Sequence, residues 1–335
     1  MSESLTPTFS VIIPTYNRAP VLARTLRHFM RQDYPADRYE IIVVDNSTDE
    51  TPDLVQQLSA GSPCAIRLLH LPIRLPAIKR NVGLREARFD YALFFNDDVW
   101  VERNLLREHA RTHAAFDEPI AVLGLVEQSP EMESNPFQDS WRPFAYFEIA
   151  DRAGQPVSYR YFWSMNLSLP RRVMLERNLV FHEDWAEIGH EDVELGWRWT
   201  RAGYRIIYNP RALGWHYHPM TLDSGCAFAE GIGRGLRDLH VLVPDPQLLQ
   251  NYGVLSWRNR PDKIVRGLIR EVLLNRWTIP HVRAWLNHRR RTNPLVKRLT
   301  WQLLLAYVNR GYREAPQRRP KPLVTRPPAA AAGGA

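Results

Sequence analysis

Residues 91–100 read Tyr-Ala-Leu-Phe-Phe-Asn-Asp-Asp-Val-Trp. Five apolar or aromatic residues run on without a break and stop at Asn96-Asp97-Asp98. An apolar run of this length between polar flanks fits a strand buried on both faces, as in a parallel sheet. Asp97 and Asp98 would then stand at the carboxyl edge of the sheet, where open α/β folds bind ligands. Adjacent carboxylates repel unless something positive neutralises them, and a divalent ion with oxygen ligands is a common solution. On this stretch alone a polar turn between a strand and the next helix fits equally well, so the surrounding segments have to decide.

Those segments alternate. Phe9–Ile13 is apolar and ends in Pro14-Thr15-Tyr16-Asn17-Arg18, followed by a helical pattern with Val21, Leu22, Leu26 and Phe29 on one face. Tyr39–Val44 is a second strand, ending at Asp45, and a helix begins near Thr51-Pro52, with proline in its favoured first turn. Ile66–His70 reads as a strand, Pro76–Ala87 as a helix, Arg103–His113 as a helix and Ile120–Val126 as a strand. Strand and helix alternating in this way predict right-handed βαβ units and a mostly parallel sheet. Residues 127–160 lose the regularity and are rich in Pro, Ser, Glu and aromatics (Trp141, Phe144, Tyr146, Phe147). Order returns with a strand over Tyr161–Leu169, helices from Arg171 and over Glu191–Ala202, and strands Arg205–Tyr208 and Ala212–His216. Beyond Thr221 helical patterns dominate. Gly231–Arg237 is glycine-rich and reads as a mobile loop or a helix start. The tail from Pro316 offers nothing to pack and is expected to be disordered.

Composition narrows the function classes. The chain has 335 residues, 44% hydrophobic and 24% charged, as in ordinary globular proteins. Cys64 and Cys226 form neither a disulfide framework nor a metal-ligand spacing, which suits a reducing, cytoplasmic setting. No basic segment followed by an apolar stretch occurs near Met1, so no cleaved leader is expected. The longest apolar run, Ile120–Val126, is far short of the ~20 residues that a membrane span needs. The basic character is local. Residues 256–321 hold 17 Lys and Arg against 3 Asp and Glu, whereas residues 1–255 hold 26 against 33. Basic residues mixed with Trp277, Trp285, Trp301 and Leu303–Leu305 over 261–313 fit an anionic membrane surface, peripheral at the inner face of the cell membrane. A basic helical subdomain packed on the body fits equally. No recognised nucleic-acid motif is present, so nucleic acid is not an expected partner.

Thr15, Tyr16, Asp45 and Asp97-Asp98 all end predicted strands, and in a parallel sheet they converge on one crevice. The GxGxxG and GxxxxGK[ST] phosphate cradles are both absent, so a phosphorylated ligand would depend on a metal and on cationic side chains. Over residues 8–220 the chain resembles the family 2 glycosyltransferases, which have the GT-A fold. The resemblance rests on FSVIIPTYNR, YEIIVVDNSTDET, KRNVGL at 79–84, Asn96-Asp97-Asp98 and His190-Glu191-Asp192-Val193-Glu194-Leu195-Gly196-Trp197-Arg198.

It implies an α/β GT-A domain over 1–220, with a nucleotide-binding half (1–126) and an acceptor half (127–220). A basic helical extension (221–315) and the tail (316–335) follow. It implies an inverting, metal-dependent transfer of a sugar from a nucleotide-diphosphate donor to a hydroxyl of a saccharide or glycolipid, in cell-envelope synthesis. Pro14, Thr15, Tyr16, Arg18, Asp45, Arg80, Asn96 and Asp97 would line the donor nucleotide. Asp98 would hold Mn²⁺ or Mg²⁺ as the last aspartate of the DXD motif, joined by His216 or His218. Asp192, in the ED pair with Glu191, would be the general base. Trp163, Asn166 and Trp185 would face the acceptor. The sequence departs from the family pattern at Asn96, which replaces the first DXD aspartate and removes one charge. A non-catalytic nucleotide-sugar-binding or membrane-associated protein with a degenerate site is therefore the alternative. A sugar-nucleotide pyrophosphorylase is disfavoured, because its glycine-rich loop is missing.

Overall fold

The computed structural model describes residues 6–133, 135–140, 144, 146–185, 189–245, 248, 254, 261–317 and 320–327. Eight strands form one sheet in the order β3-β2-β1-β4-β7-β6-β8-β5. They are β1 (Phe9–Thr15), β2 (Tyr39–Asp45), β3 (Ala65–His70), β4 (Tyr91–Phe95), β5 (Val99–Val101), β6 (Ile120–Gln128), β7 (Asn166–Pro170) and β8 (Arg205–His216). β1 pairs in parallel with β2 and β4, and β2 with β3. All seven residues of β2 are buried, as expected for a β-branched run covered by helices on both faces. The register sets Thr15 opposite Asp45 and Asp45 opposite His70, so the polar strand ends share one edge.

The second half of the sheet is less regular. β7 runs antiparallel to both β4 and β6 and begins at Asn166, later than the strand expected from Tyr161; residues 159–161 form a 3-10 turn instead. The two expected strands over 205–216 are one strand, β8, whose pairing with β6 slips between Gly124 and Leu125. β5, which periodicity did not reveal, is three residues long and antiparallel to the end of β8, with Val99 opposite His216. The Tyr217 N–H donates to the Asp98 carbonyl at 2.8 Å and extends this ladder by one step. This short strand brings Asp98 beside His216 and His218 across more than a hundred residues of chain.

Among the described residues, the helices Leu222–Leu242, Pro261–Leu273, Ile279–Asn287 and Pro294–Glu314 follow the sheet. Gly231–Arg237 lies inside the first of them and is neither loop nor helix start. Its glycines serve close packing. A Cβ on Gly233 would lie 2.1 Å from the Val308 carbonyl oxygen, and one on Gly311 would lie 2.0 Å from that of Glu230. The helices Leu222–Leu242 and Pro294–Glu314 therefore meet backbone to backbone, and a mid-helix glycine penalty of about 1 kcal/mol is accepted there. Thr221 and Ser224 form a reciprocal cap at the start of the first helix.

Residues 320–327, read from composition as having no packing partners, lie along the body. The His182 ring bonds the Lys321 carbonyl at 2.8 Å, Asn178 Nδ2 donates to the Val324 carbonyl, and the Arg326 N–H donates to the Arg177 carbonyl. Residues 318–319 and 328–335 of that tail lie outside the described residues, as does Trp141. Among the described residues no helix is long and apolar enough to cross a membrane.

Candidate active site

The crevice begins at the end of β1. Thr15 Oγ1 donates to Asp97 Oδ2 at 2.7 Å, and Asn17, at a positive φ of 51°, turns the chain away after Tyr16. The Asn17 N–H donates to Ser47 Oγ, and Asn17 Oδ1 accepts from the Thr48 N–H, locking the first strand end to the second. Asp45 is fully buried. Its Oδ1 accepts from the Ser47 N–H and Oγ, while Oδ2 has no hydrogen-bond partner among the described residues. A buried carboxylate oxygen without a donor costs free energy that a ligand N–H would recover. Pro14 and Tyr16 are half-buried at the same edge, and the Arg74 guanidinium lies over the Tyr16 ring and bonds its hydroxyl.

Lys79 escaped the sequence reading, although it sits in the quoted KRNVGL segment. It is 1% exposed, and its ammonium donates to the Thr15 carbonyl and to Asn46 Oδ1. Burial lowers its pKa to about 8, against the opposing pull of Asp45 and Asp97. Only its place beside Asp45 could have flagged it. Arg80, expected at the donor phosphates, spends its guanidinium on the protein. It donates to Glu191 Oε1 at 2.9 Å and to Asn96 Oδ1 at 3.2 Å, tying the two acidic motifs together. At Asn96 an aspartate would make this second contact an ion pair; asparagine makes it a neutral acceptor.

Asp98 is the hub of the cluster. It is 3% exposed, and its Oδ2 lies 2.9 Å from His218 Nδ1, 3.4 Å from His216 Nε2 and 2.9 Å from Arg18 Nη2. Burial would raise its pKa, but His216, His218 and Arg18 together hold it well below the ordinary value. Asp97 goes the other way: burial and the Asp98 charge push it up to about 6, with Arg18 opposing. Arg18, expected at the nucleotide, bridges Asp97 Oδ1 at 3.3 Å and Asp98. One ligand atom each from Asp98, His216 and His218 fall within 4.8 Å of one another, and Asp98 Oδ1 is buried with no hydrogen-bond partner among the described residues. One carboxylate and two imidazoles, with a spare buried oxygen, fit a divalent ion. The two nitrogen donors favour Mn²⁺ over Mg²⁺, which prefers an all-oxygen shell.

Asp192 opens the helix Glu191–Arg201, after Gly189 and His190 turn the chain with positive φ. Its Oδ2 accepts from the Ser164 N–H at 3.0 Å and Oγ at 3.3 Å, and its Oδ1 from the Val193 N–H at 2.8 Å. Crowding by protein and the neighbouring Glu191 charge push its pKa up to about 6, against Ser164 and Arg80. Glu191 itself is buried, held by Arg80 on one oxygen and the Gly189 N–H on the other. Asp192 is the half-buried member of the pair.

A cavity of about 660 Å³ opens at His216 and His218. Phe144, Tyr146, Phe147 and Tyr208 give it aromatic walls, and Glu127 and Gln128 add polar groups. Burial, with Tyr208 and the Asp192 charge, raises the pKa of Tyr146. The three expected acceptor residues fare differently. Trp163 is half-buried behind this wall, edge-on to Phe144, Tyr146 and Tyr161. Asn166 is fully buried and satisfied by His109, Ala212 and Leu125, so it braces the sheet and does not face the crevice. Trp185 is 3% exposed and donates its indole N–H to the Gly189 carbonyl, which leaves no face for a sugar.

Residues 10–168 match the family model described as Glycosyl transferase family 2. Validoxylamine A glucosyltransferase of Streptomyces hygroscopicus subsp. jinggangensis is 32% identical over 240 residues, covering 64% of this chain and 56% of that protein. Chondroitin synthase of Escherichia coli is 26% identical over 273 residues, covering 70% and 38%. The chain thus spans about half the length, or less, of these curated relatives. Among solved structures, mannosyltransferase PcManGT from Pyrobaculum calidifontis, in complex with GDP-Man and Mn²⁺, superposes with a TM-score of 0.65 at 20% identity, over 93% of this chain and 88% of that one. TarS 1-349 of S. aureus in complex with UDP-GlcNAc gives 0.56 at 16% identity, over 93% of each. With the fold of these glycosyltransferases and the matched segment running from β1 through the acidic end of β4 to β7, the chain resembles glycosyl transferase family 2 over residues 10–168 and has the GT-A fold.

Proposed function

We propose that the protein is an inverting glycosyltransferase that moves a sugar from a nucleoside-diphosphate sugar to a hydroxyl of a saccharide or glycolipid acceptor. One observation carries the reading. Asp98, His216 and His218 cluster at the mouth of an aromatic-walled cavity, on the sheet edge that also carries Asp45, whose buried Oδ2 has no partner among the described residues. Relatives and structural neighbours named as glucosyl- and mannosyltransferases support it.

In this reading Asp45 Oδ2 accepts an N–H of the nucleobase, and Thr15 and Tyr16 flank the nucleoside. Lys79 holds the Thr15 carbonyl and Asn46 in place beneath it. Asp98, His216 and His218 would hold Mn²⁺. When bound, the ion supplies Lewis-acid neutralisation of the diphosphate as it leaves. The acceptor enters by the aromatic cavity. Its hydroxyl oxygen attacks the anomeric carbon from the face opposite the diphosphate, the hydroxyl proton passes to the Asp192 carboxylate, and the bonding pair of the breaking C–O bond leaves with the diphosphate. Arg80 is a positioning residue that fixes Glu191, and with it Asp192, relative to Asn96. Acceptor class rests on the cavity walls, since aromatic faces with a few polar groups suit sugar rings.

A second reading has its own observation. Arg18 already ion-pairs with both Asp97 and Asp98, as a metal-free binding module would require. Donor turnover with Mn²⁺ and in excess chelator separates the two. The transferase reading expects turnover that chelator abolishes; undiminished turnover in chelator would remove Asp98 from metal binding.

A further inference from the structure

The helix Pro261–Leu273 is amphipathic in the reverse of the usual sense. Gly267, Arg270 and Leu274 are buried on its inner side, towards the rest of the helical extension. Outward, Val265, Leu268, Ile269, Val272 and Leu273 are each 52–73% exposed, and Trp277, just past the helix end, is 71% exposed. At 100° per residue the five aliphatic positions span an arc of roughly 140°, a continuous stripe. A stripe this large on solvent is costly in a monomer and marks a surface that something covers.

Charge decides what covers it. Lys263 and Arg266 are exposed on the same helix and Arg276 next to Trp277. Arg289, Arg290, Arg291, Lys297 and Arg298 are exposed on the following elements. Residues 256–321 hold 17 basic against 3 acidic residues. A second copy of this chain would bring two such segments together and repel itself. An anionic bilayer accepts both features, with the aliphatic stripe in the acyl boundary, the tryptophan at the headgroups, and the Lys and Arg on the phosphates. The absence of a spanning helix among the described residues fits a protein that lies on the surface.

We infer that the outward face of Pro261–Leu273, with Trp277, docks the protein in the plane of an anionic membrane. The inference is independent of the proposed chemistry, since none of these residues lines the crevice. The test is co-sedimentation of the full chain with vesicles of phosphatidylcholine alone and with 30% phosphatidylglycerol, at low and at about 0.5 M salt. The expected result is binding to the anionic vesicles only, weakened at high salt, where the screening length falls to a few ångströms. A Leu268→Glu/Val272→Glu variant should lower the partition coefficient at least about tenfold while its melting temperature holds, because both side chains already face water. Three outcomes would overturn the inference: no binding to anionic vesicles at low salt, equal binding to neutral ones, or binding unaltered in the double variant. So would a dimer in sedimentation velocity that the double variant abolishes, because the stripe would then be a contact between copies.

Discussion

Asp192→Asn is the substitution that probes the proposed chemistry most narrowly. The two side chains have the same shape, but the amide cannot accept a proton. General-base assistance is worth about 10²–10⁴-fold, and each decade corresponds to ~1.4 kcal/mol of barrier, so the transfer barrier should rise by about 3–5 kcal/mol. The structure adds a second cost. Asp192 Oδ2 receives two donors from Ser164 and Oδ1 receives the Val193 N–H. An asparagine offers one acceptor oxygen, so one of these N–H groups faces an amide NH₂. Leaving a buried donor unsatisfied costs ~1–3 kcal/mol of stability. The variant should therefore melt lower, and it has to be assayed well below its transition. Donor affinity should stay within about twofold, because the Asp45 and Asp98 contacts are untouched. Single-turnover transfer with the donor saturating, beside calorimetric titration of the donor, separates these terms. A turnover number within a few-fold of the parent would refute the assignment of Asp192 as base.

Further outcomes follow from the same geometry. Asp192 must be unprotonated to act and its pKa is pushed up to about 6. Turnover should thus be flat above that pH and fall about tenfold per unit below it; a limb that begins near pH 4 would contradict this. Arg18→Ala leaves Asp97 and Asp98 facing each other with no guanidinium between them. Like charges raise the demand for a counter-ion, so Mn²⁺ affinity, read by electron paramagnetic resonance without donor, should rise at least threefold, and a loss of affinity would show that Arg18 supports the site. Gly311→Ala puts a Cβ against the Glu230 carbonyl; separating the two helices should cost ~1–3 kcal/mol in denaturant unfolding, and an unchanged midpoint would mean that the close approach is not required.

The first half of the sheet was legible because its signals are local. Apolar runs mark β1, β2 and β4, and the polar groups that end them, Thr15, Asp45 and Asp97, lie one after another along the sheet edge. Asp192 was singled out by the resemblance of its Glu-Asp pair to the family's motif, since a helix start alone reads equally as a cap. What the sequence did not carry were the pairings made at a distance. β5 is too short to show a period, yet it is the strand that sets Asp98 against His216. Arg18 and Arg80 were placed at the donor nucleotide by the motifs that hold them, but each faces a protein carboxylate, and which partner an arginine takes depends on tertiary neighbours. Asn166 and Trp185 are polar or aromatic residues whose bonds go inward, and a residue's type alone does not say whether its hydrogen bonds go to the protein or to a ligand. Gly231–Arg237 misled because glycines that permit helix contact have the composition of glycines that permit motion.

The central claim is that this crevice takes a nucleoside-diphosphate sugar through Mn²⁺ on Asp98, His216 and His218. Calorimetric titration of the full chain with a panel of UDP-, GDP- and dTDP-sugars, with and without Mn²⁺ and repeated on Asp98→Asn, tests it directly. At least one donor should bind with Mn²⁺, and its affinity should fall at least tenfold both without the ion and in Asp98→Asn. Binding that is equally tight in chelator and in Asp98→Asn, or no binding by any donor in the presence of Mn²⁺, would contradict it.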